Sequence, residues 1–105
     1  MGDGLDADAV RQYRLALAVQ ARRFKRYPPQ ALEAGIGGTV EIRVAVAADG
    51  QAGDVALARS SGQDLLDAAA FDMMQKAAPR ASVPELLRGR AFAVSLPVVF
   101  DPAGE

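Results

Sequence analysis

The sequence predicts an α+β fold: a three-stranded antiparallel sheet packed by helices on one face, with a ββαβ core and an N-terminal helix. Three observations carry this. Residues 39–48 and 91–100 place apolar side chains at every second position, the period of a strand whose one face is covered. Residues 9–26 and the stretch after Ser61 repeat apolar residues at spacings of three and four, the period of an amphipathic helix. Turn residues separate them: Tyr27-Pro28, Asp49-Gly50, Pro79 and Gly89. The predicted order is helix, short helix, strand, strand, helix, strand.

Residues 1–8 are rich in Gly and Asp and read as a flexible lead-in, with Asp6 or Asp8 able to cap a helix. The domain proper is predicted over residues 9–100, followed by a polar tail at 101–105. The first helix spans 9–26, with Val10, Tyr13, Leu17, Ala21 and Phe24 as its apolar stripe. Tyr27-Pro28-Pro29 ends it, because proline disfavours helix in the residue before it. Residues 29–34 suit one or two helical turns stopped by Gly35. In the first strand Val40, Ile42, Val44, Val46 and Ala48 share one face. Asp49-Gly50 opens a loop longer than two residues, and the second strand, 53–59, is expected to bury Val55 and Leu57. Ser61 with Asp64 three residues on resembles a capping box for the next helix. That helix carries the stripe Leu66, Ala69, Ala70, Met73, Ala77 and a favourable Asp72–Lys76 pair, and Pro79 stops it. Residues 80–90 are predicted as loop. The last strand lines up Phe92, Val94, Leu96, Val98 and Phe100.

Composition excludes much chemistry. The chain has 105 residues, enough for one domain with one small core. It contains neither cysteine nor histidine, which removes disulfides, thiolate nucleophiles, the commonest metal ligand and the commonest general base. Ser60-Ser61-Gly62 therefore reads as a helix cap, since no base stands near to activate a serine. Asp64, Asp67 and Asp72 lie at helical spacing without the oxygen-rich loop of a calcium site. Gly35-Ile36-Gly37-Gly38 precedes a strand, whereas phosphate-cradling glycines precede a helix. No enzyme activity, cofactor or metal is expected. Net charge is −1, so no global field recruits nucleic acid. The first helix does carry Arg11, Arg14, Arg22, Arg23, Lys25 and Arg26 without an acid between Ala9 and Arg26. This reads as a solvated face or as a docking face for an acidic partner. No apolar run approaches the about 20 residues that span a bilayer. The chain is expected to be a soluble piece of a longer protein.

The last strand holds the strongest physical argument for function. Residues 91–100 contain no charge, although sheet edges are usually guarded by Lys, bulges or Pro. The one guard in the strand is Pro97, which belongs on an edge with its missing donor outward. Ala93, Ser95 and Val99 then offer backbone groups to the open side, a surface suited to strand addition by an extended peptide. The alternative is a strand whose edge is covered by the tail or the first helix.

In this order the motifs resemble the C-terminal domain of TonB-type energy transducers. The resemblance covers about residues 13–100: Tyr27-Pro28, Ala31, Gly35, Gly38-Thr39-Val40, Asp49-Gly50, Ser60-Ser61-Gly62, Leu66-Asp67-Ala68-Ala69, and the closing strand with Phe92, Val94, Pro97, Val98 and Phe100. It implies a periplasmic domain, anchored in the inner membrane by a region not in this chain, where that region joins a proton-driven motor complex. It implies capture of the TonB box, an extended receptor peptide, beside the last strand at Ala93, Val94, Ser95, Leu96, Pro97, Val98 and Val99. The pull then opens an outer-membrane receptor for siderophore, haem or cobalamin. Many members carry Arg two residues after the Tyr-Pro pair. Here that position is Gln30, and Arg22, Arg23 and Arg26 are candidate receptor contacts beside it. Residues 79–89 also depart from the family's aromatic-Pro pattern. A TolA-like envelope interaction domain of similar architecture is the alternative. An uncharged edge also suits pairing with a second copy, so a homodimer through the last strand is a further expectation.

Overall fold

Asp6 starts the first helix: its carboxylate accepts the Ala9 N–H at 2.9 Å, satisfying one of the orphan donors at a helix N-terminus. The computed structural model describes residues 5–104. Helix α1 runs Ala7–Phe24, beginning and ending two residues earlier than the periodicity predicts. Its buried face is Ala9, Tyr13, Leu17 and Ala21, a strict spacing of four, with Val10 and Phe24 half-buried beside it. Tyr13 and Leu17 are fully buried, so α1 is part of the core and shares the cover of the sheet with the later helix. The Tyr13 hydroxyl finds no hydrogen-bond partner among the described residues. Burial pushes its pKa up to about 12, so the ring stays neutral at physiological pH.

Helix α2 is a single turn, Pro29–Glu33, with Pro at its first position where no N–H is needed. Gly35 follows with φ of 69°, the left-handed conformation that ends helices and that glycine adopts without strain. The Tyr27 hydroxyl donates to the Ile36 carbonyl and ties both ends of this segment together. The Tyr27 ring meets Phe100 edge-on at 5.3 Å between centroids.

The sheet has strand order β2-β1-β3, with β1 Gly38–Val46 in the centre and β2 Ala52–Arg59 and β3 Phe92–Phe100 antiparallel on either side. Strand β1 alternates as expected: Val40, Ile42, Val44 and Val46 are all buried. Strand β2 does not. Val55 is half-buried and Leu57 is 43% exposed, against the expectation that both are core. The strand's place at the edge explains it, with a ladder that is itself irregular. Between Ile42↔Leu57 and Glu41↔Arg59, and again between Val44↔Val55 and Val46↔Ala52, β2 inserts one extra residue. Val55 and Leu57 share the covered face with their partners Val44 and Ile42, but β2 is an edge strand with no neighbour on its outer side, which leaves them partly open to solvent.

Helix α3, Asp64–Ala77, buries Leu66, Ala70, Met73, Met74 and Ala77. The Asp72–Lys76 pair forms at 3.1 Å on its solvent side. The predicted capping box does not form: Gln63 is the N-cap and contributes no side-chain bond. Asp67, one turn further in, reaches back instead. It accepts from the Ser60 hydroxyl, from the Ser61 N–H at 2.9 Å and from the Ser61 hydroxyl at 2.8 Å. Pro79 ends α3 through a 3-10 turn at Ala78–Arg80, and a second such turn occupies Glu85–Leu87. Sequence patterning reads this stretch as loop, yet Ala81 and Val83 between the turns and Leu87 in the second turn join the core. Helices α1 and α3 pack on each other and on one face of the sheet.

Candidate functional site at the β3 edge

Strand β3 pairs with β1 in unbroken register from Gly38↔Phe100 to Val46↔Phe92. Among the described residues no strand lies on its other side. Val94, Leu96, Val98 and Phe100 are buried, Phe92 and Ala93 half-buried, and Ser95, Pro97 and Val99 exposed. The covered face therefore matches the predicted one.

The direction of the backbone groups follows from one contact. The carbonyl of Val99 accepts a hydrogen bond from Lys25 Nζ at 2.8 Å, so it points away from β1. In an antiparallel ladder the N–H and C=O of one residue point to the same side, and the side alternates. Because the register is unbroken, residues 93, 95, 97 and 99 all turn toward the open side. Pro97, opposite Glu41, sits where its missing N–H removes no bond to β1.

The same contact corrects one expectation. Pro97 is not the sole guard of this edge. Lys25, 74 residues away in sequence, occupies the Val99 acceptor, and its ammonium also lies 5.5 Å from the centre of the Phe100 ring. Nothing in local patterning marks Lys25 among the six basic residues around α1. Its role arises because Lys25 leaves the helix in an extended conformation just where α1 passes the end of β3.

Between α1 and β3 runs an open groove made of two adjoining hollows that share Ala18 and Leu96. One, about 260 Å³, is bordered by Arg22, Lys25, Met73, Pro97 and Val99. The other, about 400 Å³, is bordered by Val10, Arg11, Arg14 and Leu15. Its floor is apolar and includes Leu15, which is 61% exposed. Its charged rim is wholly basic, with no Asp or Glu among the lining residues. Arg11 is partly neutralised by Asp8 at 2.8 Å.

The four candidate receptor contacts separate. Arg22 borders the groove. Arg23 turns to Gln20 Oε1 at 3.2 Å and over the Phe24 ring, and Arg26 and Gln30 are exposed outside the groove lining. No group of three or more Asp and Glu side chains that could hold a metal ion occurs among the described residues. No described helix is long and apolar enough to cross a membrane.

Known proteins share both the sequence and this architecture. Residues 23–102 match the family model described as Gram-negative bacterial TonB protein C-terminal. The TonB protein of Pseudomonas putida is 35% identical over 81 residues, covering 75% of this chain and 33% of its own length. The chain thus spans about a third of the length of the curated relatives it matches. Among solved structures, the C-terminal domain of Helicobacter pylori TonB superimposes with a TM-score of 0.71 at 24% identity, covering 94% of this chain and 85% of that one. TolAIII bound to a peptide from the N-terminus of TolB superimposes less closely, with a TM-score of 0.55 at 21% identity over 91% and 82% of the two chains. The three-stranded sheet with helices on one face is the shared fold. On the match of its residues 23–102, the chain belongs to the family of TonB protein C-terminal domains.

Proposed function

We propose that this domain is the partner-gripping end of a periplasmic energy transducer and captures an extended receptor peptide by strand addition along β3. One observation carries the reading: β3 is an uncharged edge strand in regular register whose residues 93, 95, 97 and 99 turn their backbone groups outward. Backbone pairing supplies affinity with little demand on peptide sequence, which suits a transducer serving several receptors. The site needs no catalytic group. A region outside this chain joins the inner-membrane motor, and the peptide is the TonB box of an outer-membrane receptor that imports siderophore, haem or cobalamin. Family membership supports this choice of partner over a TolA-like one, for which the likeness is one of fold alone.

The test is an amide NMR titration with a TonB-box peptide from a receptor of the same organism. Shifts are expected to concentrate at residues 93–99. Ser95→Pro removes an outward N–H without removing a ladder bond to β1, and is expected to weaken capture at least about tenfold. Ser95→Ala, which keeps the N–H, serves as control and binds normally. Shifts confined to residues 11–26, or none at saturating peptide, would sink the reading.

A further inference from the structure

A strand added at β3 would send half of its side chains into the groove. Helix α1 runs alongside β3 in the same direction. Near one end the Tyr13 ring meets Phe92 at 5.6 Å between centroids, and at the other Lys25 Nζ reaches the Val99 carbonyl at 2.8 Å. Val94, Leu96 and Val98 turn to the helix side of the sheet, while Ser95, Pro97 and Val99 turn to its open face. Residues opposite one another in paired strands share a face. Every second residue of an added strand, those opposite Val94, Leu96 and Val98, therefore points between α1 and β3, where the two hollows lie. Pairing at residues 93, 95 and 97 is enough to seat them, and the Lys25–Val99 bond stays in place.

The groove differs in chemistry between its middle and its ends. In the middle Leu96, Ala18 and Leu15 make an apolar floor, and Leu15 lies open to solvent. Arg14, next to Tyr13, borders it toward the Phe92 end, and Arg22, just before Lys25, toward the Val99 end. Neither arginine takes part in the ion pairs of the described residues. Resting on the strand-addition reading above, we propose that this groove is a side-chain subsite that reads every second residue of the captured strand. It takes a bulky apolar side chain opposite Leu96, over Ala18 and Leu15, and a carboxylate two residues to either side, at Arg14 and at Arg22. The apolar side chain gains by covering Leu15 and Leu96, and the carboxylates meet charge of opposite sign at both ends. The residues between them face the open side of the sheet and are free to vary. Backbone pairing alone carries no sequence information, so α1 supplies the selectivity: an extended peptide with an acid–apolar–acid pattern on one face.

The test uses two synthetic peptides with blocked ends, each reading the same in both directions so that strand orientation does not matter. Thr-Glu-Thr-Leu-Thr-Glu-Thr puts Leu and both Glu on one face of a strand. Thr-Thr-Glu-Leu-Glu-Thr-Thr has the same composition and charge but puts Leu and Glu on opposite faces. Both are titrated into the domain, and binding is read from the outward amides of Ala93 and Ser95. Wild-type protein is expected to bind the first peptide more tightly by about threefold to tenfold, the scale of two solvent-accessible ion pairs, and to lose most of that preference as salt rises. Replacing both exposed arginines, Arg14→Gln with Arg22→Gln, brings the two peptides to parity. Ala18→Glu, which sets a carboxylate on the groove floor, reverses the preference. Three results overturn the inference and leave strand capture standing: equal binding of both peptides to wild type, an undiminished preference in the double arginine variant, or an undiminished preference in Ala18→Glu. If neither peptide shifts Ala93 and Ser95 in wild type, strand capture itself fails and this inference with it. Should Ala18→Glu not fold, the double arginine variant decides alone.

Discussion

The two edges of the sheet are defended in opposite ways. Strand β2 defends itself: it carries Asp54 and Arg59, and its two bulges break the regular spacing a new strand would need. Strand β3 has no charge, no bulge and a regular ladder, and its guards are a proline and an ammonium lent by another element. A bulge is permanent, whereas a lysine on a flexible stem can leave. The proposed strand capture uses the edge whose protection is removable. Strand β3 is also fastened along its other side by an unbroken register with β1, as the proposed capture would require. An edge that takes up a pulling partner has to be held by the core, and an edge that takes up nothing does not.

The largest contrast expected between the edges is in stability. Phe100 closes β3 with 2% exposure, meets Tyr27 edge-on and lies under Lys25. Phe100→Ala is expected to cost about 3–5 kcal/mol, a large share of the about 5–15 kcal/mol that holds a small domain together. Leu57→Ala on β2 removes a side chain already 43% exposed and is expected to cost less than about 1 kcal/mol. Urea denaturation of both variants measures the difference. Equal losses would mean that the β2 edge is anchored as deeply as β3, and the comparison would fail.

A pair of glycines sharpens the same contrast at the backbone. A Cβ on Gly37 would stand 2.7 Å from the Phe100 carbonyl oxygen and 2.8 Å from Pro102 Cδ, so Gly37 lets the chain before β1 lie against the end of β3. Backbone on one side and a proline ring on the other leave little room to yield, and Gly37→Ala is expected to cost about 1–3 kcal/mol. Gly53 lies at the second bulge of β2, where a Cβ would meet the Ala45 carbonyl at an ordinary 3.5 Å. Gly53→Ala is expected to be neutral or stabilising by up to about 1 kcal/mol, because it restricts the unfolded chain at no native cost. Thermal unfolding separates the two, and a destabilised Gly53→Ala would show that the bulge is under strain.

What the sequence made legible follows the same division. Strands β1 and β3 were readable because regular register preserves the period of two: every residue expected on their covered faces is buried or half-buried, apart from Ala48, which falls in the turn. Strand β2 places Val55 and Leu57 on the expected face, opposite Val44 and Ile42, but at an edge whose cover is incomplete, and nothing local distinguishes Leu57 from a core residue. Ala81, Val83 and Leu87 were missed because 3-10 turns bury scattered residues with no repeat to detect. At the site, the outward parity of Pro97 was accessible from its lack of an N–H. The Lys25–Val99 bond was not, since it joins residues 74 apart whose approach depends on how α1 crosses the sheet. Patterning reports on surfaces that repeat, and this contact occurs once.

The smallest expected effect lies where β2 hands the chain to α3, and it concerns pH. Burial raises the pKa of Asp67, but hydrogen bonds from the Ser60 hydroxyl and from the Ser61 N–H and hydroxyl outweigh it, so the carboxyl lies below the ordinary aspartate value. A depressed folded-state pKa contributes stability that is fully present above the unfolded-state value, about 3.9, and is lost as pH falls through the folded-state value. Asp67 is partly exposed at the surface, and screening keeps the contribution under about 1 kcal/mol. Asp67→Asn is therefore expected to lower stability slightly at neutral pH and to flatten its decline on the acid side of about pH 4. Ser60→Ala is expected to do part of the same. Neither should alter peptide capture, because the β2–α3 junction lies at the sheet's other edge, away from the groove residues beside β3. Chemical denaturation at a series of pH values measures the first effect. A change in capture with either variant would show that the two edges are coupled through β1, and the independence that the comparison assumes would have to be given up.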